Sequence, residues 1–275
     1  MHKDKAIILV SFGTADEKIF TRTIDALAKD VAAACPNFEL RLAYTSNFII
    51  KKLLKRGVKV LTVNEQIEDL RCEGFGEIIL LPTHFTAGEE FDNKIKICAA
   101  DDVKVLSPLF SLQCDTDFDR KILDAVLECF PTQDEDLILI GHGSPHRHNP
   151  VYENFQRLID ESYKNIHVGV IEESDTPNFH DVLARLKNRR VEKILLAPLL
   201  FNGGVHLEED IGGADENSWK SRLTAEGYDV KVCTDGLGAF KIFRELYIEK
   251  VEGREEIVEK SYLLLSTSYS LPSNI

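Results

Sequence analysis

Histidines are concentrated in one short segment, LILIGHGSPHRHNP (137–150), in which His142, His146 and His148 fall within seven positions. The whole chain has only 8 histidines, so this segment holds a large share of its imidazoles. A neutral imidazole binds divalent transition metals and can accept a proton near neutral pH. The glycines on either side of His142 allow the backbone to bend and leave room for a bulky, flat ligand. The segment therefore predicts a site for metal binding or proton transfer.

Two further candidate ligands follow apolar runs in the second half of the chain. Glu172 and Glu173 come directly after HVGVI, and His206 comes two residues after a glycine pair. If the runs are neighbouring strands, two imidazoles and a carboxylate converge at one edge of a sheet. Such a set, with open coordination positions, suits a divalent transition metal that must bind and then leave.

Each of these residues also has a purely structural interpretation. A histidine after a strand is commonly a turn residue, and the acidic run LEED after His206 is typical of the positive end of a helix. Ser144 as N-cap with Pro145 next to it would place His146 in the first turn of a helix, and His148 has no stronger claim. From the opening segment, His142 is therefore the candidate functional histidine. The remaining histidines, at positions 2, 84, 167 and 180, have no comparable context.

Strand and helix patterns alternate along the chain and predict the elements that position these residues. The predicted strands are 6–10, 39–44, 77–82, 136–140, 167–171, 192–200 and 229–232. Helix starts are marked by the capping boxes TADE (14–17) and TVNE (62–65) and by Ser46, and helix ends by Gly57 and Gly74. Continuous apolar strands linked by long crossovers are typical of parallel sheets with helices on both faces. We therefore predict an α/β fold.

The two halves of the chain resemble each other. ILVSFGT (8–14) matches LILIGHGS, which places Phe12 opposite His142, and 77–95 matches 193–211, which places Glu90 opposite His206. The similarity is modest, and any two βα units share some of it; taken as a duplication, it predicts two similar doubly wound parallel-sheet lobes. The predicted boundaries are 1–132 for the first lobe and 133–260 for the second, which carries the metal site; the role of the tail, 261–275, is unclear.

Composition excludes several classes of protein. The 33 Lys and Arg against 46 Asp and Glu give a formal net charge of -13, which argues against a nucleic-acid-binding surface. The 6 cysteines form no CxxC pair, and no apolar segment approaches the roughly 20 residues of a membrane span. Glycine-rich nucleotide-binding motifs are also missing. We expect a cytoplasmic protein without membrane contacts or an organic cofactor.

Several segments together resemble the anaerobic-type sirohydrochlorin cobaltochelatases. They lie in order between about residues 6 and 252: AIILVSFGT, YTSNFIIKKL, GFGEIILLPTHFTAGEEF, GHGSPH, HVGVIE, VEKILLAPLLFNGGVH and SWKSRLTAEGYDV. The resemblance implies a class II chelatase, with two similar α/β lobes around a central cleft for the tetrapyrrole. It also implies ATP-independent insertion of cobalt(II), as a substrate, into sirohydrochlorin on the oxygen-independent route to cobalamin.

The resemblance also implies roles for individual residues. The metal ligands would be His142, Glu172 and His206, with His142 also the base that accepts a pyrrole proton. Glu89, together with Glu90, would assist proton removal.

The resemblance further suggests what binds the substrate, whose carboxylates need local hydrogen-bond donors or cations in this acidic protein. The expected contacts are the turn Ser11, Phe12, Gly13 and Thr14, with Lys51 or Lys52 as candidate cations.

Some questions stay open at the level of the sequence. The segment EESDTPNF is longer than the corresponding turn of the family, so Glu173 rivals Glu172 as the ligand. An iron or nickel chelatase, or a non-catalytic carrier of metal or tetrapyrrole, would use the same residue types. A homo-oligomer is also compatible with the sequence.

Overall fold

The computed structural model describes residues 4–143, 150–203 and 206–253, with only the backbone of 206–208. The predictions for His146, His148, Ser144 and the tail 261–275 therefore fall outside the described residues. The strands are β1 (Lys5–Ser11), β2 (Glu39–Tyr44), β3 (Glu77–Pro82), β4 (Val103–Val105), β5 (Asp136–Gly141), β6 (Ile166–Val170), β7 (Lys193–Pro198) and β8 (Asp229–Val232). The α-helices are α1 (Glu17–Arg22), α2 (Ile24–Ala34), α3 (Asn47–Leu54), α4 (Val63–Cys72), α5 (Glu89–Lys94), α6 (Asp117–Cys129), α7 (Val151–Asp160), α8 (Phe179–Lys187), α9 (Trp219–Ala225) and α10 (Lys241–Gly253). Short 3-10 turns lie at Lys96–Cys98 and Leu237–Ala239, and a π-helix lies at His206–Ile211.

The strands form two parallel sheets of four strands each, with the orders β2-β1-β3-β4 and β6-β5-β7-β8. The two orders are the same once the second half is laid over the first. The predicted α/β fold with two similar lobes is confirmed.

The equivalence of the lobes extends to individual hydrogen bonds at the carboxyl ends of the strands. Thr45 N donates to Ser11 O at 2.9 Å, and Ile171 N donates to Gly141 O at 3.0 Å in the second lobe. These bonds place Ser11 and Gly141 at equivalent positions, so that Phe12 and His142 also correspond. The internal duplication seen in the sequence is therefore a structural one.

Both central strands are covered on two faces. In β1, Ile7 and Leu9 belong to one apolar cluster, whereas Ile8 belongs to another. In β5, Leu139 belongs to the same cluster as Ile7, whereas Ile138 belongs to a third. Residues from both sheets thus share one core, which fixes the two lobes against each other.

Helix α10 reinforces this connection, because it packs against α2 and α6 of the first half. The Tyr247 hydroxyl donates to Thr83 O at 3.2 Å, and Arg244 Nε lies 2.6 Å from Asp30 Oδ2. Among the helices of the described residues, none is long and apolar enough to cross a membrane.

The helix caps agree with the sequence in part. Thr62 and Glu65 form the predicted capping box at α4, and the Ser46 side chain caps α3. The predicted box at Thr14 is wrong, because Asp16 caps α1 by accepting from the amides of residues 18 and 19. The Thr14 hydroxyl instead accepts from Asp16 N at 3.2 Å, which forms the turn that leads into the helix.

Candidate active site at the strand ends

The loops that follow the strands of the two lobes meet each other. Asn202, beyond β7, accepts a hydrogen bond from Thr23 Oγ1 at 2.8 Å, and its amide nitrogen lies 3.5 Å from Ser11 Oγ at the end of β1. Both sheets therefore direct their carboxyl ends toward a shared region. In open parallel sheets, this is where ligands bind.

His142 and Glu172 lie side by side in this region. Glu172 N donates to His142 O at 3.0 Å, which joins the loops that follow β5 and β6. Gly143 has a positive φ of 79°, and a Cβ atom placed on it would lie 3.0 Å from Glu172 Cβ. The exposed His142 ring has Nδ1 3.1 Å from Gly143 O. If Nδ1 donates this bond, the ring's lone pair lies on Nε2, the tautomer that binds metal through Nε2.

The two rival glutamates have different surroundings. Glu173 has a side chain that is 75% exposed, and its Oε1 lies 2.9 Å from Arg222 Nη1. That guanidinium is itself stacked 3.7 Å from the centre of the Phe179 ring. Glu172 instead accepts from Ser174 Oγ at 3.1 Å, within its own loop. Glu173 is thus directed toward α9, whereas Glu172 stays beside the His142 turn.

His206 is the first residue of the π-helix that follows β7. Single π-helical turns are rare in proteins, but those that occur often lie at functional sites. The structure brings the backbones of His142 and Glu172 together. It does not describe the side chain of His206, the third predicted ligand. Among the described side chains, no group of three His, Cys, Asp or Glu residues could hold a metal ion.

Tyr152, on α7, supports the His142 turn, and sequence reasoning missed it. A Cβ atom on Gly141 would lie 2.3 Å from Tyr152 Cε1, so the ring packs directly on the backbone before His142. Burial raises the pKa of Tyr152 to about 12, although hydrogen bonds from the backbone of Gly143 and His142 and from the Thr86 hydroxyl act in the opposite direction. Tyr152 therefore stays protonated at neutral pH and links the turn to the first lobe. In the sequence, an aromatic residue on the apolar face of an amphipathic helix indicates only that it packs in the core.

In the SFGT turn of the first lobe (11–14), the side chain of Phe12 is the exposed one. Ser11 is buried and accepts from Gly13 N at 3.3 Å, and Thr14 is bonded within the turn to α1. Gly13 has a φ of 101°, and a Cβ atom on it would lie 2.4 Å from the Tyr44 ring. Phe12 is 49% exposed, so its ring is the accessible part of this turn. The candidate cations, Lys51 and Lys52, are exposed on α3.

A second polar group lies at the strand ends of the first lobe. Glu89 is exposed at the start of α5, whereas Glu90 is partly buried and lies 2.9 Å from Lys94 Nζ. Lys94 also donates to Thr45 O at 2.8 Å, beyond β2. Burial lowers the pKa of His84, just beyond β3, to about 4, and the Glu90 carboxylate opposes this effect. Sequence reasoning did not single out His84, because one histidine after a strand carries no signal of its own.

Solved structures of chelatases have the same fold. SirB from Bacillus subtilis, determined with Fe3+, has a TM-score of 0.59 and 15% identity, with 90% of this chain and 94% of that chain covered. CbiX, described as the terminal enzyme for biosynthesis of siroheme in denitrifying bacteria, has a TM-score of 0.53 and 16% identity, with 91% and 100% covered. At these identities, the likeness establishes the two-lobed fold.

Curated relatives are similar over nearly the full length. The sirohydrochlorin cobaltochelatase of Salmonella typhimurium is 27% identical over 255 residues, which cover 89% of this chain and 94% of the relative. The sirohydrochlorin cobaltochelatase CbiKC of Nitratidesulfovibrio vulgaris is 26% identical over 252 residues, which cover 89% and 88%. The sequence model of the family described as cobalt chelatase (CbiK) matches residues 5–256. The chain therefore belongs to the cobalt chelatase (CbiK) family.

Proposed function

We propose that the protein inserts cobalt(II) into sirohydrochlorin in anaerobic cobalamin biosynthesis, and that it needs neither ATP nor an organic cofactor. The observation that carries the proposal is the hydrogen bond that joins the backbones of His142 and Glu172 at the carboxyl ends of β5 and β6. Family membership and the two sirohydrochlorin cobaltochelatases among the relatives support the same reaction.

The metal ligands in this proposal are His142, Glu172 and His206. Two imidazoles and one carboxylate are borderline-to-hard ligands, which bind cobalt(II) without the strong retention that thiolates would give. An ion held in this way can exchange its protein ligands for pyrrole nitrogens one at a time. The strand ends keep His142 and Glu172 in fixed positions while the exchange proceeds.

Insertion must also remove two protons from the pyrrole nitrogens. Each cobalt–nitrogen bond that replaces an N–H bond releases a proton, so one Co2+ enters as two H+ leave and the total charge is conserved. His142 accepts a proton once it no longer binds the metal, and Glu89 with Glu90 accept protons on the side of the first lobe. General bases placed in this way contribute about 10²- to 10⁴-fold to a rate.

The carboxylates and the ring system of the substrate require separate contacts. Backbone N–H groups of the turn Ser11 to Thr14, with Lys51 or Lys52, bind substrate carboxylates. The exposed Phe12 ring offers an apolar surface to the flat macrocycle.

The experiment is an anaerobic insertion assay with purified protein, sirohydrochlorin and cobalt(II), iron(II) or nickel(II), followed by absorbance. We expect cobalt insertion well above the uncatalysed rate, and His142→Ala to lower it by about 10²-fold or more with macrocycle binding retained. His180→Ala, at an exposed position on α8, is the matched control and keeps full activity. Faster insertion of iron or nickel would contradict the assignment of the metal, and binding without turnover would indicate a carrier.

A further inference from the structure

Helix α3 belongs to a segment, 46–61, that leaves and rejoins the chain at the same end of β2. At its start, Ser46 N donates to Phe12 O at 3.2 Å. At its end, Tyr44 N donates to Leu61 O at 3.0 Å, and Leu61 forms a parallel bridge to β2. This segment, which we call the α3 segment, is therefore held at the carboxyl ends of the strands, and α4 then makes the crossover to β3.

The α3 segment also lies along the SFGT turn of the first lobe. Arg56 Nη1, beyond the last turn of α3, donates to Ala15 O at 2.6 Å. Together with the bond from Ser46 to Phe12, this contact fixes both ends of the helix beside the turn that follows β1. The helix is thus a neighbour of the turn to which substrate binding is assigned above.

The second lobe shows that the α3 segment is an addition to the fold. Only residues 171–178 separate β6 from α8, and none of them is helical, whereas 45–62 separate β2 from α4. Ser46 corresponds to Glu172, since the N–H of each donates to the carbonyl of the first residue after the central strand. The α3 segment therefore begins at the position where the second lobe has a proposed metal ligand.

The α3 segment is basic, although the protein is acidic. Residues 46–61 include 5 Lys and Arg and no Asp or Glu, in a chain whose net charge is -13. Lys51, Lys52 and Lys55 are exposed, and in the described part of the chain no ion pair or hydrogen bond occupies their ammonium groups. Positive charge that the protein does not neutralise is thus concentrated at one strand end.

Large apolar side chains are exposed in the same place. The described residues contain six such side chains, of which Phe48, Leu54 and Val58 belong to the α3 segment and Phe12 is bonded to its start. Phe48 is 72% exposed, and no residue of α3 is buried, so the helix adds nothing to the core. Exposed apolar side chains gathered in one region are typical of a binding site.

Four of the exposed residues share one face of the helix. Residues three and four positions apart are neighbours on a helix surface, with Cβ atoms about 5–6 Å apart, so Phe48 is followed by Lys51 and Lys52, and these by Lys55. At a rise of about 1.5 Å per residue, Phe48 and Lys55 are about 10 Å apart along the helix. A flat ring with carboxylates on its rim fits this face, because an aromatic side chain can contact the ring while ammonium groups reach the rim.

We propose that this face of α3, formed by Phe48, Lys51, Lys52 and Lys55, binds one side of the macrocycle and selects tetrapyrroles that carry many carboxylates. The inference rests on the proposed function for the identity of the substrate, and it deepens that function by assigning the choice of substrate to one helix. Phe48 extends the apolar surface of Phe12, and the lysines pair with acetate and propionate groups. Because the rest of the surface is acidic and repels a polycarboxylate, this basic patch also directs the substrate to the strand ends.

The test is a fluorescence titration of metal-free sirohydrochlorin with the variant Lys51→Gln, Lys52→Gln, Lys55→Gln. We expect its Kd at low ionic strength to be about tenfold higher than that of the wild type, because three exposed ion pairs are lost. High salt abolishes the difference by screening the charges. The matched control removes the same charge at the amino ends of β6 and β7 and keeps the wild-type Kd; it combines Lys164→Gln, Lys187→Gln and Lys193→Gln.

Two porphyrins separate recognition of the rim from recognition of the ring. Uroporphyrin has carboxylates on every pyrrole ring, whereas deuteroporphyrin has them on only some. We expect the triple lysine variant to weaken uroporphyrin binding and to leave deuteroporphyrin binding unchanged. Phe48→Ala weakens both by about threefold or more. Ile97→Ala, which removes an exposed apolar side chain elsewhere, changes neither, and every variant keeps the wild-type unfolding temperature because the substituted side chains are exposed.

An unchanged Kd for sirohydrochlorin in the triple lysine variant would overturn the inference. So would an equal loss of affinity for both porphyrins, because the lysines would then not recognise charge. An unchanged Kd together with a shift from dimer to monomer in sedimentation would assign α3 to a contact between copies of the chain instead. Because these measurements need no turnover, the two proposals can fail separately. A wild type that binds sirohydrochlorin without inserting cobalt ends the proposed function alone, and the Kd values still decide the role of α3.

Discussion

At the scale of residues, one backbone hydrogen bond determines which side chains can act together. Glu172 N donates to His142 O at 3.0 Å, and this bond fixes an imidazole and a carboxylate on adjacent loops. Glu173 is one position further along and lies 2.9 Å from Arg222 instead. The two neighbouring glutamates thus have different surroundings, because the chain turns at residues 173 and 174.

The first prediction is that substitutions of the two glutamates differ in their effect on the Kd for cobalt(II). Glu172→Gln removes a proposed ligand charge, and we expect the Kd for cobalt(II) to rise by about tenfold or more in calorimetry. Glu173→Gln removes only an exposed ion pair, worth at most about 1 kcal/mol of stability, and leaves the Kd unchanged. The opposite order of effects would show that Glu173 is the ligand.

The candidate site residues that the sequence predicted are those whose residue type and position suggest chemistry. The sequence did not predict residues that are distinguished by their packing. His142 and Glu172 were predicted because each follows a strand, and the structure places them together. Tyr152 and His84 were not predicted, because what distinguishes them is the set of atoms that surrounds each ring. The packing of Tyr152 on Gly141, and the ring nitrogens of His84 that have no partner among the described residues, become visible only once the chain is folded.

At the scale of elements, the turn after β5 must be tight for His142 to reach its position. Gly141 is the last residue of that strand, and the Tyr152 ring occupies the space that a side chain there would need. Gly143 adopts a positive φ of 79°, which residues with a Cβ atom rarely adopt. The two glycines of GHG are therefore required by the geometry of the turn.

The second prediction concerns Gly141→Ala. A Cβ atom there would lie 2.3 Å from Tyr152 Cε1, and the buried ring has little room to move. We expect the free energy of unfolding in urea to fall by about 1–3 kcal/mol, with lower insertion activity. Gly76→Ala is the control: it meets nothing within 4 Å. That variant should be neutral or more stable by about 0.4–1 kcal/mol. Equal stability of both variants would contradict this account of the turn.

The strands were easier to predict than the details of their connections. The predicted bounds of β2 and β3 agree with the structure, because ELRLAY begins with alternating charged and apolar residues and EIILLP is a nearly continuous apolar run. β4 has only three residues and gives no periodic signal. The cap at Asp16 rather than Thr14 depends on a local competition between two oxygen acceptors that the capping pattern alone does not resolve.

At the scale of the whole molecule, two copies of one fold carry different side chains at equivalent strand ends. The sheets have the same order, yet Phe12 stands where the second lobe has His142, and His84 where it has Leu200. The second lobe thus carries the proposed metal ligands, and the first carries Glu89 and Glu90 as proposed proton acceptors. A shared core and the contacts of α10 keep the two sets at a fixed separation.

The third prediction is that the lobes unfold together. The chain has 1 tryptophan, and Trp219 is buried in the second lobe, so its fluorescence reports on that lobe alone. Because one apolar cluster contains residues of both sheets, we expect the fluorescence and far-UV circular dichroism transitions in urea to coincide. A fluorescence transition that precedes a second loss of dichroism would show that the lobes are independent.

In the proposed mechanism, cobalt passes from a site at His142 and Glu172 to the macrocycle. The most direct measurement mixes cobalt-loaded protein, freed of unbound metal, with sirohydrochlorin in an anaerobic stopped-flow instrument. We expect the absorbance of the protein-bound cobalt to disappear at the same rate as the absorbance of the metallated macrocycle appears. His142→Ala should fail to retain cobalt and should give no such phase. Metallation only after the addition of free cobalt, with the protein-bound ion left in place, would contradict the account.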